Sequence, residues 1–238
     1  MDPDTRIMGH QVRFQTTRWN LVRSARDRSS LNELIKIYWK PLYFFVRQRG
    51  FDNETAKDIV QGFLARLIER QSILKADPSR GRFRTFLLTA LSNFIKDWSR
   101  TNVRKRSGGG RAMLFLDFSR SESDYAANVS QSETPEMALN RAWARSLWEL
   151  SLKELRSERP QLEAFKLYLA DKDYRTIAGA TGMTETEVNS AIRRLKNQLK
   201  NIVTAHIRET VSSEEELKAE LAEFKSLLSW RARARRPA

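Results

Sequence analysis

The chain has no cysteine, two histidines, six prolines and nine glycines among its 238 residues. Without cysteine there is neither a disulfide framework nor a thiolate metal site. His10 and His206 lie far apart in the sequence, so no imidazole cluster is offered for metal binding or proton transfer. No apolar run approaches the ~20 residues of a bilayer span, and the opening MDPDTRIMGH has no apolar signal-peptide core. Phosphate-cradling glycine loops and nucleophile–base pairings are missing too. These absences lead us to expect no catalytic residue, no metal, no cofactor and no membrane insertion, in a protein of the cytoplasm.

What the chain has in excess is positive charge. Its formal net charge is +14 and its pI is about 10.3, which calls for a polyanionic partner, most simply nucleic acid. Apolar residues recur at intervals of three and four almost throughout, so the fold class is all-α. The spacing predicts a short helix over Thr17 to Asp27 and a second over Leu31 to Arg49. The second has a stripe of Leu34, Ile35, Tyr38, Leu42, Phe45 and Val46, and Pro41 is expected to kink or interrupt it. Asp52 caps a third, Asn53 to Arg70. Asp77-Pro78-Ser79-Arg80-Gly81 is turn chemistry. Ser107 to Gly110 and the acidic, serine-rich stretch that follows read as a flexible linker carrying one apolar island, Met113 to Leu116. Thr134-Pro135 opens a second helical block. The chain ends in a helix, Ser213 to Arg236, acidic first and basic last, as a helix dipole favours. The expected organisation is a helical domain over 1–106, a linker over 107–134, a second helical domain over 135–211 and an extension over 212–238.

Two segments carry the functional signal. From Arg80 to Arg111 there are nine cations against one acid, Asp97, with Phe83, Phe86, Phe94 and Trp98 threaded among them. Cations hold phosphates without regard to sequence and aromatic faces accept unstacked bases, but a surface helix with a solvated basic face has the same composition. The second segment, Tyr174 to Leu195, has the pattern of a helix-turn-helix. Ala178 is small enough for a close crossing, Gly182 suits the turn, and Thr184 with Glu187 three residues on forms a capping box. Val188, Ile192, Leu195 and Leu199 make the buried seam. Asn189, Arg193, Lys196 and Lys200 share an acid-free face. Glu185, Thr186, Asn189 and Ser190 stand where a recognition helix meets base edges, with Thr184 at its cap and Arg193, Arg194, Lys196 and Lys200 further along to hold phosphate.

With these in hand the chain resembles bacterial RNA polymerase sigma factors of the sigma-70 family, extracytoplasmic-function (ECF) subfamily. Leu31 to Gly50 is similar to the start of region two, Ala56 to Leu67 to the helix that binds the polymerase clamp helices, Phe83 to Arg106 to the part that melts and reads the minus-ten element, and Asp173 to Lys200 to region four, which reads the minus-thirty-five element. The phrases Phe-Arg-Thr-Phe-Leu and Tyr-x-x-Ile-Ala-x-x-x-Gly-Met-Thr are the nearest matches, and the wording around Thr16 to Val22 resembles a subgroup found in planctomycetes.

The resemblance implies two helical domains, core RNA polymerase (clamp helices and flap) and promoter DNA as partners, an anti-sigma factor or a Ser/Thr kinase as regulators, and a free monomer. It assigns Asp58 and Gln61 to core polymerase, and Arg82, Arg84, Arg100 and Arg104 to backbone phosphates around the minus-ten element. It gives Asn93, Lys96 and Asp97 base or near-base contacts, and the loop before Phe83 a flipped base. Gly62 and Lys57 stand where the family commonly has acids. A phosphate on Thr55 would restore negative charge near that helix's N-terminus. Two rival functions remain: a free-standing helix-turn-helix regulator, which would bind palindromic duplex without polymerase, and a nucleic-acid enzyme, for which scattered carboxylates such as Asp58 and Glu69 supply no site.

Overall fold

The computed structural model describes residues 28–70, 72–77, 82–102, 116–130, 132–211 and 213–234. The expected helix over Thr17 to Asp27, the residues Arg80 and Arg104, most of the 77–81 turn and most of the 113–116 island lie outside them. Among the described residues every regular element is helical: α1 Arg28–Gln48, α2 Asn53–Glu69, a 3-10 turn Ser72–Lys75, α3 Phe83–Asn102, α4 Ser121–Asn128, α5 Pro135–Lys153, α6 Arg159–Leu169, α7 Tyr174–Thr181, α8 Glu185–Arg208 and α9 Glu214–Ala234.

The fold is built around α1, which continues through Pro41, so the interruption that proline can cause does not occur. A proline in a helix interior costs ~3 kcal/mol. Here Leu42, Tyr43, Phe44, Phe45 and Val46 are all buried to 2% exposure or less, and burying each such side chain contributes about 1.5–3 kcal/mol, so packing outweighs the lost bond. Nor do the apolar residues of α1 form a single stripe. Both Tyr43 and Phe44 are buried alongside Leu42 and Phe45, because α2 covers one side of the helix and α5 and α4 cover others. A helix that is apolar all round is a buried helix. Gly50, at φ +91°, ends it in a backbone conformation that side chains disfavour, and Asp52 then caps α2 by accepting from Thr55 N at 2.9 Å.

Within the linker, α4 is docked on α1. Its Glu122 accepts from Tyr43 Oη (2.5 Å) and from Arg47 Nε (2.9 Å), and Asp124 pairs with Lys40 at 2.5 Å. Phe118 packs edge-on against Trp39 and Tyr43. The acids that read as solvated linker chemistry therefore neutralise cations on α1. The Arg47 hydrogen bond and, after it against the cost of burial, the Tyr43 hydroxyl hold the Glu122 carboxyl below its usual range. Beyond the linker, α5 lies along α1, while α6, α7 and α8 pack on one another and α9 crosses α5 and α8. Trp143 of α5, 2% exposed, meets Phe224 of α9 edge-on at 5.9 Å. One hydrophobic cluster runs from Leu34 to Phe224.

Candidate nucleic-acid interface

Helix α3 divides by face. Phe83, Leu87, Leu91, Phe94 and Ile95 are buried, with Phe83 against Tyr38 (5.3 Å) and Phe94 against Phe63 of α2 (5.8 Å). Phe83 thus belongs to the core. On the other side Asn93, Lys96, Asp97 and Arg100 are exposed. They recur at i, i+3, i+4 and i+7, which is one helical face. Asp97 approaches Arg66 of α2 at 3.4 Å, and Arg66 lies over the Phe94 ring at 5.7 Å. Three groups of this face can donate hydrogen bonds, and the acid among them has a neighbouring cation.

The start of α3 corrects an expectation. Arg84, assigned on sequence grounds to a phosphate, is 4% exposed. Its Nη2 meets Glu220 Oε2 of α9 at 2.5 Å, its Nε donates to Glu220 Oε1 at 3.3 Å, and its Nη1 donates to Asn140 Oδ1 at 2.7 Å. Its guanidinium also covers the Trp143 ring at 3.9 Å. Arginine is almost never fully buried unless paired, and here every face of it is satisfied within the protein. Arg82, half-exposed, is hydrogen-bonded to Glu223 and lies 3.3 Å from Glu220. In this arrangement Arg84 is enclosed by the protein and Arg82 is engaged by the α9 carboxylates. Burial pushes the Glu220 carboxyl above its usual range, against the pull of Arg84 and Arg82. For Glu223 burial acts the same way, but the two arginines outweigh it and its pKa falls.

The helix-turn-helix forms as its spacing predicts. Asp173 caps α7 by accepting from Thr176 N at 2.9 Å, and Gly182 turns the chain at φ +70°. Thr184 accepts from Glu187 N at 3.3 Å while the Glu187 carboxylate accepts from Thr184 N at 2.8 Å. That backbone donor, then the Thr184 hydroxyl, lower the Glu187 pKa. Val188, Ile192, Leu195 and Leu199 are buried, and Glu185, Thr186, Asn189, Ser190, Arg193 and Lys200 are exposed. Three expected contacts are engaged elsewhere. The Thr184 hydroxyl is held by the capping box, Arg194 donates to Ser157 Oγ at 2.9 Å and to Gln161, and Lys196 Nζ sits over the Tyr168 ring at 4.2 Å. Lys196 and Lys200 also line a groove with α5, α6 and α9. The first half of α8 therefore keeps Glu185, Thr186, Asn189 and Ser190 on its exposed face.

On α2, Asp58 is exposed and Gln61 half-buried, three residues apart on one face, with Phe63 and Leu67 buried behind them. Lys57 is paired with Glu54 at 2.7 Å. The Thr55 hydroxyl donates to Asp52 Oδ2 at 2.8 Å, so a phosphate there would meet a carboxylate and displace the helix cap, which removes the geometric ground for the Thr55 switch. His206 lies 2.9 Å from Glu154 in a half-buried pair, a packing role. No group of acidic and histidine residues suited to a metal, and no helix long and apolar enough to cross a membrane, occurs among the described residues.

Sequence reasoning missed Glu220, Glu223 and the Tyr43–Arg47–Glu122 cluster. The signal for the first two was present. They lie well past the first turn of α9, where a helix dipole no longer explains an acid.

Residues 34–105 match the model of sigma-70 region 2, which spans most of α1 and all of α2 and α3. The chain is also 22% identical over 179 residues to the RNA polymerase sigma factor YlaC of Bacillus subtilis (strain 168), a match covering 75% of this chain and 95% of that protein. No solved structure matches the chain. Sigma-70 region 2 thus matches the helices that carry the exposed polar face of α3, in a chain that is all-helical among the described residues and similar over most of its length to a sigma factor.

Proposed function

We propose that the protein is a promoter-specificity subunit of the ECF type: it binds core RNA polymerase, directs it to promoters and has no chemistry of its own. Core binding is assigned to the α2 face of Asp58 and Gln61. The minus-ten element is assigned to the α3 face of Asn93, Lys96, Asp97 and Arg100, and the minus-thirty-five element to the first half of α8 with Arg193 and Lys200 on phosphate. The single observation that carries the reading is the separation of α3 into a buried apolar seam and an exposed polar, cationic face, within the segment that matches region 2. A solvated basic face explains the charge but not a second polar face of recognition-helix type on α8.

The test is in vitro transcription with purified core enzyme on a fragmented genome. Defined start sites that need this protein, together with comigration of the protein with core, are expected. Binding to palindromic duplex without polymerase, and no selected starts with it, would favour a free-standing regulator instead.

A further inference from the structure

The extension beyond the helix-turn-helix reaches back across the molecule to the start of α3. Glu220 and Glu223 of α9 hold Arg84 and Arg82, the two cations that lead into the α3 face. The contact is anchored as well as charged: Leu217 and Phe224 of α9 are buried, Phe224 against Trp143. A guanidinium recognises carboxylate and phosphate oxygens with the same fork of donors, so a protein carboxylate and a DNA phosphate compete for it. Tethering the carboxylates in the same chain gives them a high effective concentration.

We propose that α9 is an intramolecular latch, its Glu220 and Glu223 standing in for DNA phosphates on Arg84 and Arg82 and keeping the entry of α3 off the DNA backbone until α9 is displaced. The proposal rests on α3 being a DNA-reading helix. It goes further in giving the C-terminal extension a regulatory role. In the latched state the face of Asn93, Lys96, Asp97 and Arg100 is presented, and in the open state Arg82 and Arg84 join it. The latch also couples the start of α3 to the helix-turn-helix, because α9 packs on α5 and α8 as well.

The absence of cysteine makes the test direct. Thr89 of α3 and Lys218 of α9 are both exposed. Spin labels on the full-length chain carrying Thr89→Cys and Lys218→Cys report their separation by pulsed electron resonance. The latch predicts one short distance in the free protein and, with a saturating forked DNA fragment at low salt, a second population longer by about 10 Å, one helix diameter, or more. In unlabelled protein Glu223→Gln, which keeps the fold by sparing the buried Glu220, is expected to tighten binding of the same fragment about two- to fivefold, the worth of a partly exposed ion pair. An unchanged distance with DNA bound, or equal affinity of Glu223→Gln and the parent chain, overturns the latch. Binding unchanged by Asn93→Ala with Lys96→Ala refutes instead the reading of α3 on which it stands.

Discussion

Removing the Arg84 guanidinium tests how α3 and α9 are joined. In Arg84→Met the buried Glu220, 2% exposed, loses partners at 2.5 and 3.3 Å, Asn140 Oδ1 loses its donor, and Trp143 loses the cation over its ring. Stranding one member of a buried pair costs about 3–5 kcal/mol. Arg82, 3.3 Å from Glu220, compensates in part, so a loss of about 3 kcal/mol is expected. At 2–4 °C per kcal/mol for a chain of this size, the midpoint of thermal unfolding falls by roughly 6–12 °C. Adding Glu220→Leu removes the stranded charge and should return most of that loss, giving a coupling energy of about 2 kcal/mol or more. Urea unfolding followed by tryptophan fluorescence, with Trp143 beside the pair, reads all four corners of the cycle. The pH dependence has a definite sign. Without Arg84 the Glu220 carboxyl, already raised by burial, rises further. A group whose folded pKa is raised contributes stability that is complete below its unfolded value and disappears as pH climbs through the folded one. The deficit of Arg84→Met should therefore be smaller at pH 5 than at pH 8. A variant as stable as the parent, or two changes whose costs simply add, would refute the reasoning.

At Gly182, where φ is +70° and nothing lies within 4 Å of an added Cβ, Gly182→Ala should cost about 1–2 kcal/mol by backbone conformation alone, measured by urea unfolding. Asn93→Ala and Lys96→Ala, on an exposed face, should change stability by no more than ~0.5 kcal/mol, yet reduce promoter opening in permanganate footprints while leaving core binding intact. Replacing Arg193 with alanine should weaken DNA binding across sequences and lower the salt slope of log K by about one, read from a titration of salt. Glu122, whose pKa the Arg47 hydrogen bond lowers, contributes stability above its unfolded pKa that is lost as pH falls through the depressed one. Glu122→Gln should flatten the acid side of the stability–pH curve.

Much of the architecture was legible because it is written locally. The capping box of Thr184 and Glu187, the turn at Gly182 and the seam of Val188, Ile192 and Leu195 are set by residues three or four apart, and the structure has each of them. The exposed face of α3 followed from the same periodicity. What escaped notice depends on partners far along the chain. Arg84 looks like any cation in a basic stretch, and only the fold brings Glu220, 136 residues away, against it. Pro41 stays helical because α5 and α4 cover a second side of α1, which a one-stripe reading of Leu34 to Val46 does not foresee. Glu122 and Asp124 read as linker residues because acidic, serine-rich composition says nothing of Arg47 and Lys40, whose charges they meet. Local patterns fix helices and caps; long-range ion pairs decide which cations remain exposed.

The central claim, that exposed faces of α3 and α8 direct a polymerase, is tested most directly by run-off transcription with purified core on a promoter selected by this protein. The parent chain is compared with Asn93→Ala/Lys96→Ala and with Asn189→Ala/Arg193→Ala, and core binding of each is measured in parallel. Both double variants are expected to bind core as the parent does and to lose most of the specific transcript. Full transcription by both, or loss of the transcript only in step with loss of core binding, would contradict the claim.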